Sequence, residues 1–157
     1  MGFQGDYAQG INSSFKADGV LHRRVVNLTN AEIKALRATP KVLVPAPGAG
    51  WFLEFHKAIL CLNYGTNALT ESTDNLVIEH ESGQDLTGVI TAAGFITATA
   101  DTYCVVLAAA IAAAAKTNIE NKNIRLFNTG DGEYAGNAAL DTTMTVIVEY
   151  WIHKSKL

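Results

Sequence analysis

The clearest hydrophobic pattern in the chain lies near its C-terminus, where apolar and polar residues alternate over residues 142–153. Successive side chains of a β-strand point to opposite faces, so this alternation predicts a strand with one face in a core. The residues of the predicted core face are Met144, Val146, Val148, Tyr150 and Ile152. The residues of the opposite face are Thr143, Thr145, Ile147, Glu149 and Trp151.

A second long strand is predicted over residues 51–64, where alternation gives way to continuous apolarity toward Leu62. This drift is expected of a strand that runs from a sheet edge into a buried centre. Strict alternation would place Phe52, Glu54, His56 and Ala58 on one face of this strand. It would place Leu53, Phe55, Lys57, Ile59 and Cys61 on the other face.

Shorter apolar runs predict five more strands, at residues 25–28, 41–44, 76–80, 103–107 and 124–127. Clusters of turn-forming residues separate these runs. Two prolines and two glycines between residues 45 and 50 predict a tight turn. The polar residues 65–75 and the glycine-rich stretch NTGDGEYAGNAA predict loops.

Two short helices are expected. Thr29 followed three residues later by Glu32 forms a capping box, and Ile33 and Leu36 then fall on one face, which predicts a helix over residues 30–37. Pro40 ends it, because the residue before a proline is pushed toward extended geometry. The alanine-rich residues 108–116 have the highest helix propensity and predict the second helix. Residues 89–99 are ambiguous and could hold a further short helix.

Seven or eight strands with two short helices, and no regular alternation of strands and helices, argue against a parallel doubly wound sheet. The pattern predicts a mainly β fold: an antiparallel two-sheet sandwich with jelly-roll or Greek-key connections. The 157 residues fit one domain. Residues 1–22 lack periodicity and are rich in small and polar residues, so we expect an N-terminal arm there and a single β-sandwich domain over residues 23–157.

Charge and hydropathy exclude several function classes. The net charge is −3, and the cluster of His22, Arg23 and Arg24 is too small to attract nucleic acid. The longest apolar run, residues 104–115, is well short of the ~20 residues that a membrane-spanning helix needs. The N-terminus has no apolar segment of a secretory signal, which predicts folding in the cytoplasm.

No arrangement of reactive side chains points to catalysis, a cofactor or a metal, so we do not expect an enzyme. Cys61 and Cys104 lie in apolar runs and are interpreted as buried thiols or, alternatively, as a disulfide. Glu79 and Glu81 share a strand face that we expect to be solvated. The NTGDGE loop is similar in composition to a calcium loop but lacks the required ligand spacing.

Three segments resemble small β-rich virion proteins of tailed bacteriophages, of the capsid decoration (cement) type. They are LTNAEIKALRATPKVLVPAPGAGW, NIENKNIRLFNTG and GNAALDTTMTVIVEYW, which together span roughly residues 25–153. The resemblance implies a structural protein on the capsid surface of a virion, assembled in the host cytoplasm. It would bind the major capsid protein and cement neighbouring capsomers as a homodimer or homotrimer. From charge, hydropathy and the absence of motifs we expect no direct contact with nucleic acid or membrane and no cofactor.

Two other functions remain open. One is a tail or head-fibre base component. The other is a carbohydrate- or receptor-binding β-sandwich, in which Trp51, Tyr64, Tyr134 and Trp151 would provide aromatic platforms. For partner contact we expect the N-terminal arm to matter most, through the spaced apolar residues Phe3, Tyr7, Ile11 and Phe15.

Overall fold

The computed structural model describes residues 18–71, 73–109 and 113–156, and these form a mainly β fold of antiparallel sheets, as predicted. Within the described residues the elements run in the order β1 (Leu21–Leu28), α1 (Asn30–Lys34), β2 (Lys41–Val44), β3 (Trp51–Asn63), β4 (Leu69–Thr70), β5 (Leu76–His80), β6 (Gln84–Asp85), β7 (Thr102–Leu107), α2 (Lys116–Ile119), β8 (Ile124–Asn128), β9 (Ala135–Gly136) and β10 (Thr143–Lys154). Seven of these strands have four residues or more.

Two four-stranded sheets build the sandwich. The first sheet has the strand order β1-β10-β3-β7 and the second has the order β2-β8-β5-β6. A small two-stranded sheet joins β4 to β9. The core lies between the two large sheets, where apolar side chains from both are removed from water. Fully buried examples are Leu60, Val146 and Val148 from the first sheet and Ile78, Ile124 and Leu126 from the second.

Strand β10 confirms the alternation that the sequence predicts. Its five even-numbered apolar residues are buried, and the odd-numbered residues between them are only half-buried. It is a central strand, since β1 pairs with it on one side and β3 on the other. The C-terminal strand is therefore the middle of the first sheet and carries a large part of the core.

Strand β3 departs from strict alternation at His56, so the predicted division of its two faces is wrong. Glu149 pairs with Lys57 and the next residue of β10, Tyr150, pairs with Phe55, which leaves His56 as an extra residue in β3. Such a β-bulge puts two residues against one and resets the side-chain pattern. Phe55 and Ala58 therefore both face the core, and Ala58 does not share a face with Glu54.

Helix α1 begins as predicted. The Thr29 hydroxyl accepts a hydrogen bond from the Glu32 N–H, and the Glu32 carboxylate accepts one from the Thr29 N–H at 2.9 Å. The helix ends at Lys34, three residues earlier than expected, and continues as a turn. The Glu133 carboxylate accepts the N–H groups of Arg37 and Ala38 at 3.0 and 2.7 Å, which satisfies the backbone where the turn ends.

The predicted alanine-rich helix over residues 108–116 is wrong. Residues 108, 109 and 113–115 are non-helical, and the second helix is α2, Lys116–Ile119. Residues 110–112 lie outside the described residues. Alanine propensity alone does not outweigh the cost of nucleating a short helix, and a row of methyl groups offers little apolar area to pack against a sheet.

Residues 89–99 contain neither an α-helix nor a named strand. Ile90 forms a bridge to Leu76 of β5, and a turn follows in which the Ile96 N–H donates to the Ala92 carbonyl at 2.8 Å. Ile90, Ala92 and Ile96 are buried. The segment is thus hydrogen-bonded to β5 through Leu76, and all five residues of β5 are buried.

Candidate interaction surface

The first sheet exposes one apolar row on the side that faces away from the core. Val25 pairs with Ile147, Ile147 with Ile59 and Ile59 with Val105, so four apolar residues lie side by side across all four strands. Val25 is 49% exposed and Val105 is 64% exposed, while the two isoleucines are half-buried. We call these four residues the apolar row.

A charged row lies two residues along the strands from the apolar row. Its members, in strand order, are Arg23, Glu149, Lys57 and Leu107. The Lys57 ammonium lies 3.4 Å from the Glu149 carboxylate. Leu107, at the edge of the sheet, is 66% exposed. The charges therefore alternate in sign across the three strands that carry them.

A third row, on the other side of the apolar row, is uncharged. Its members, in strand order, are Asn27, Thr145, Cys61 and Tyr103. The Thr145 hydroxyl donates to the Asn27 side-chain carbonyl at 3.0 Å. Tyr103, at the sheet edge, is 71% exposed. Together the three rows form a face that is mostly apolar or neutral, which we call the outer face.

The outer face was not predicted as a unit, because its residues come from strands far apart in the sequence. The alternation of β10 predicted that Ile147 points away from the core, and this is where the structure places it. No sequence signal predicted that Val25, Ile59 and Val105 lie beside it. The sequence signal that bears on it is apolar residues on both sides of these strands, because only one side of each strand can face the core.

The two cysteines lie on adjacent strands but on opposite faces. Leu60 pairs with Cys104 and Cys61 with Tyr103. Cys61 belongs to the outer face, while Cys104 packs against the core, where burial raises the pKa of its thiol. Both thiols are free. An intrachain disulfide between them is excluded because the side chains leave the sheet in opposite directions.

Glu79 is buried rather than solvated, which corrects the prediction for the Glu79 and Glu81 pair. Glu79 is 4% exposed and lies directly opposite Arg125 of β8, whose Nε donates to its carboxylate at 2.7 Å. Only Glu81 is exposed. The carboxylate and the guanidinium thus join two neighbouring strands of the second sheet, which is a structural arrangement.

The NTGDGE loop folds around another buried carboxylate, that of Asp74. The Gly132 N–H donates to Asp74 Oδ1 at 3.2 Å, and the Asn128 side chain accepts the Gly130 N–H at 2.8 Å. Tyr134 is buried beside it, and burial together with the nearby Asp74 carboxylate raises the pKa of the Tyr134 hydroxyl. Among the described residues, no group of three or more His, Cys, Asp or Glu side chains could hold a metal ion.

The four aromatic residues considered for a sugar platform do not share a surface. Tyr134 is buried and Trp51 packs against the core. Trp151 lies on the first sheet with its ring centroid 4.7 Å from that of His56. The Tyr64 hydroxyl donates to the Thr66 carbonyl at 3.0 Å within its own loop. A platform built from all four is therefore not present.

The predicted contact residues of the N-terminal arm, Phe3, Tyr7, Ile11 and Phe15, lie outside the described residues. The described chain begins at Asp18, which forms a bridge to Ile152 of β10. No helix within the described residues is long and apolar enough to cross a membrane. No protein-family model matches the chain, and no curated protein sequence matches it.

Proposed function

We propose that this protein is a structural virion protein that binds the exterior of a phage capsid and cements neighbouring capsomers through oligomeric contacts. The observation that carries the proposal is the outer face, a sheet surface where apolar residues, two of them exposed and two half-buried, lie side by side across four strands. Contiguous apolar patches of this kind are often functional, which supports a contact between this face and another protein.

The energetics of such a face suit attachment by many weak contacts. Burying roughly 300 Å² of apolar surface contributes about 7 kcal/mol at ~25 cal/mol per Å². Association costs on the order of 4–15 kcal/mol in lost freedom, so one face of this size gives weak binding by itself. An oligomer joined through such faces carries several capsid contacts and binds the capsid far more tightly, because each later contact forms within an already tethered complex.

The resemblance to virion proteins supports the choice of partner. Its segments coincide with elements that shape the sandwich: the capped helix α1, the turn between β2 and β3, the strand β8 and the central strand β10. Their likeness therefore concerns the body of the fold and not a peripheral loop. We take the major capsid protein as the partner. The alternative is that this protein is itself a tail or head-fibre base component.

Rebinding to capsids tests this proposal. Capsids are assembled from the major capsid protein of the same phage, without the protein described here. They are then mixed with the purified full-length chain and sedimented. We expect saturable co-sedimentation with a fixed number of copies per capsid. A matched variant, Val89→Lys, changes a side chain that is 65% exposed and lies outside the outer face, so it should bind like the unchanged protein.

Absence of binding to these capsids at micromolar concentrations would contradict the proposal. Saturable binding to purified tails instead of capsids would favour the base-component alternative.

A further inference from the structure

We infer that a second copy of this chain covers the outer face, in a twofold dimer whose axis runs parallel to the strands, midway between β10 and β3. The inference rests on the proposed function in that it specifies the oligomeric contact through which the protein would cement capsomers. It also goes beyond the proposed function, because a dimer of this kind forms without any capsid.

The apolar row is self-complementary. In strand order it reads Val25, Ile147, Ile59, Val105, so it has the same residue types in both directions. A twofold axis between the two central strands reverses this order in the second copy. Each isoleucine then meets an isoleucine, and each valine meets a valine, as an isologous interface requires.

The charged row is complementary under the same axis. Reversal places Glu149 over Lys57 of the second copy, and Lys57 over Glu149 of the second copy. Arg23 then faces Leu107 of the second copy, against which its aliphatic stem can pack. Opposite charges face each other at both central positions, which fixes the register of the two sheets.

The usual angle between packed sheets preserves these contacts. Aligned sheets cross at about 30°, and the charged row lies about 7 Å from the apolar row because each residue rises ~3.3 Å. Rotation of one sheet by this angle displaces each residue of the charged row by roughly 3–4 Å relative to its partner in the second copy. Side chains as long as lysine and glutamate span such a shift.

The size of the outer face fits a dimer of moderate affinity. Four strands spaced ~4.8 Å apart are about 19 Å wide, and an overlap of seven or eight residues is about 25 Å long. The flat footprint is therefore roughly 500 Å² per copy, or about 1,000 Å² in total, which is the lower limit for a specific interface. We therefore expect a dissociation constant of the dimer in the micromolar range.

Analytical ultracentrifugation of the full-length chain, from 1 to 200 µM, tests the inference. We expect a concentration-dependent species of twice the 16.8 kDa chain mass. Ile147→Lys should weaken the dimer at least tenfold while leaving the circular dichroism spectrum and thermal unfolding unchanged, since this side chain points away from the core. Val89→Lys, the matched control off the outer face, should dimerise normally.

A mixing experiment separates contacts between copies from the contact within one chain. Glu149→Lys alone and Lys57→Glu alone should each be monomeric, because like charges then meet across the axis. Mixing these two variants should restore a dimer, since the introduced lysine of one variant then faces the introduced glutamate of the other. The repulsion within each chain remains in the mixture, so the recovery can come only from the contact between copies.

Several outcomes would overturn the inference: a monomer at all concentrations, a trimer, a dimer unaffected by Ile147→Lys, or single-charge variants that do not recover on mixing. A monomer that dimerises only after deletion of residues 1–17 would also overturn it, and would assign the outer face to that segment. Capsid rebinding is measured separately, so failure to dimerise does not count against capsid attachment, and failure to bind capsids does not count against the dimer.

Discussion

At the scale of single residues, the buried carboxylate of Asp74 organises the glycine-rich loop that follows β8. It is 1% exposed, and a Cβ on Gly130 would collide with its carboxylate oxygen and approach its backbone. The glycine is thus required by close approach and not by loop flexibility. The sequence showed the glycines of this loop but not the acid, which lies more than fifty residues earlier.

Replacing Gly130 with alanine should therefore destabilise the protein by about 2–4 kcal/mol, because either the loop or the buried Asp74 must move. Gly88→Ala is the matched control, since a Cβ there meets nothing within 4 Å. Urea unfolding of both variants measures the difference in the free energy of unfolding. Equal stability of the two variants would show that the loop shifts without cost.

At the scale of elements, the β-bulge at His56 decides which face of β3 meets the core. Leu53 and Phe55 point inward before the bulge, and Ala58 and Leu60 point inward after it. Without the extra residue the alternation would be continuous from Leu53 to Leu60. The sequence could not reveal this, because a bulge is defined by the partner strand, here β10.

Deletion of His56 should therefore be tolerated. It removes the ring contact with Trp151 and the hydrogen bond from the Ala108 N–H to the His56 carbonyl, at an expected cost of about 1–2 kcal/mol. The core residues on both sides of the deletion keep their inward direction. Thermal unfolding followed by circular dichroism measures the change.

Deletion of Ile59 is the comparison for this experiment. It would turn Leu60 and Leu62 outward and should abolish cooperative unfolding, because the register slips by one residue. A cooperative transition for the Ile59 deletion, or none for the His56 deletion, would contradict the assignment of the bulge.

At the scale of the whole molecule, the two sheets differ in how far their strands are buried within the described residues. The second sheet contains a strand buried at every position, whereas the first sheet carries the exposed apolar row. The described chain first contacts this sheet next to Asp18: the Gly19 N–H donates to the Ile152 carbonyl at 3.1 Å.

We predict that a variant lacking residues 1–17 unfolds at the same temperature as the full chain and still dimerises, but binds capsids at least tenfold more weakly. The physical reason is that the apolar cluster between the sheets is built from strands that begin at β1, while the spaced apolar residues of the arm are the ones that we expect to bind a partner. Differential scanning calorimetry and capsid co-sedimentation measure the two effects.

A full-length variant with Phe3, Tyr7, Ile11 and Phe15 all changed to serine serves as the matched control for the loss of chain length. It should bind capsids as weakly as the deletion. If the deletion variant binds capsids as tightly as the full chain, the arm is not part of the contact surface.

The sequence alone determined what depends on near neighbours in the chain: the inward and outward sides of β10, the capping box that starts α1, and the predominance of strands. These features follow from the alternating direction of side chains along a strand and from local hydrogen bonding, which both act over two to four residues. The tertiary structure decided the bulge at His56, the burial of Glu79 against Arg125, and the union of four outward residues into one apolar row. Each of these depends on which strands pair and in what register, and such pairings join residues tens of positions apart.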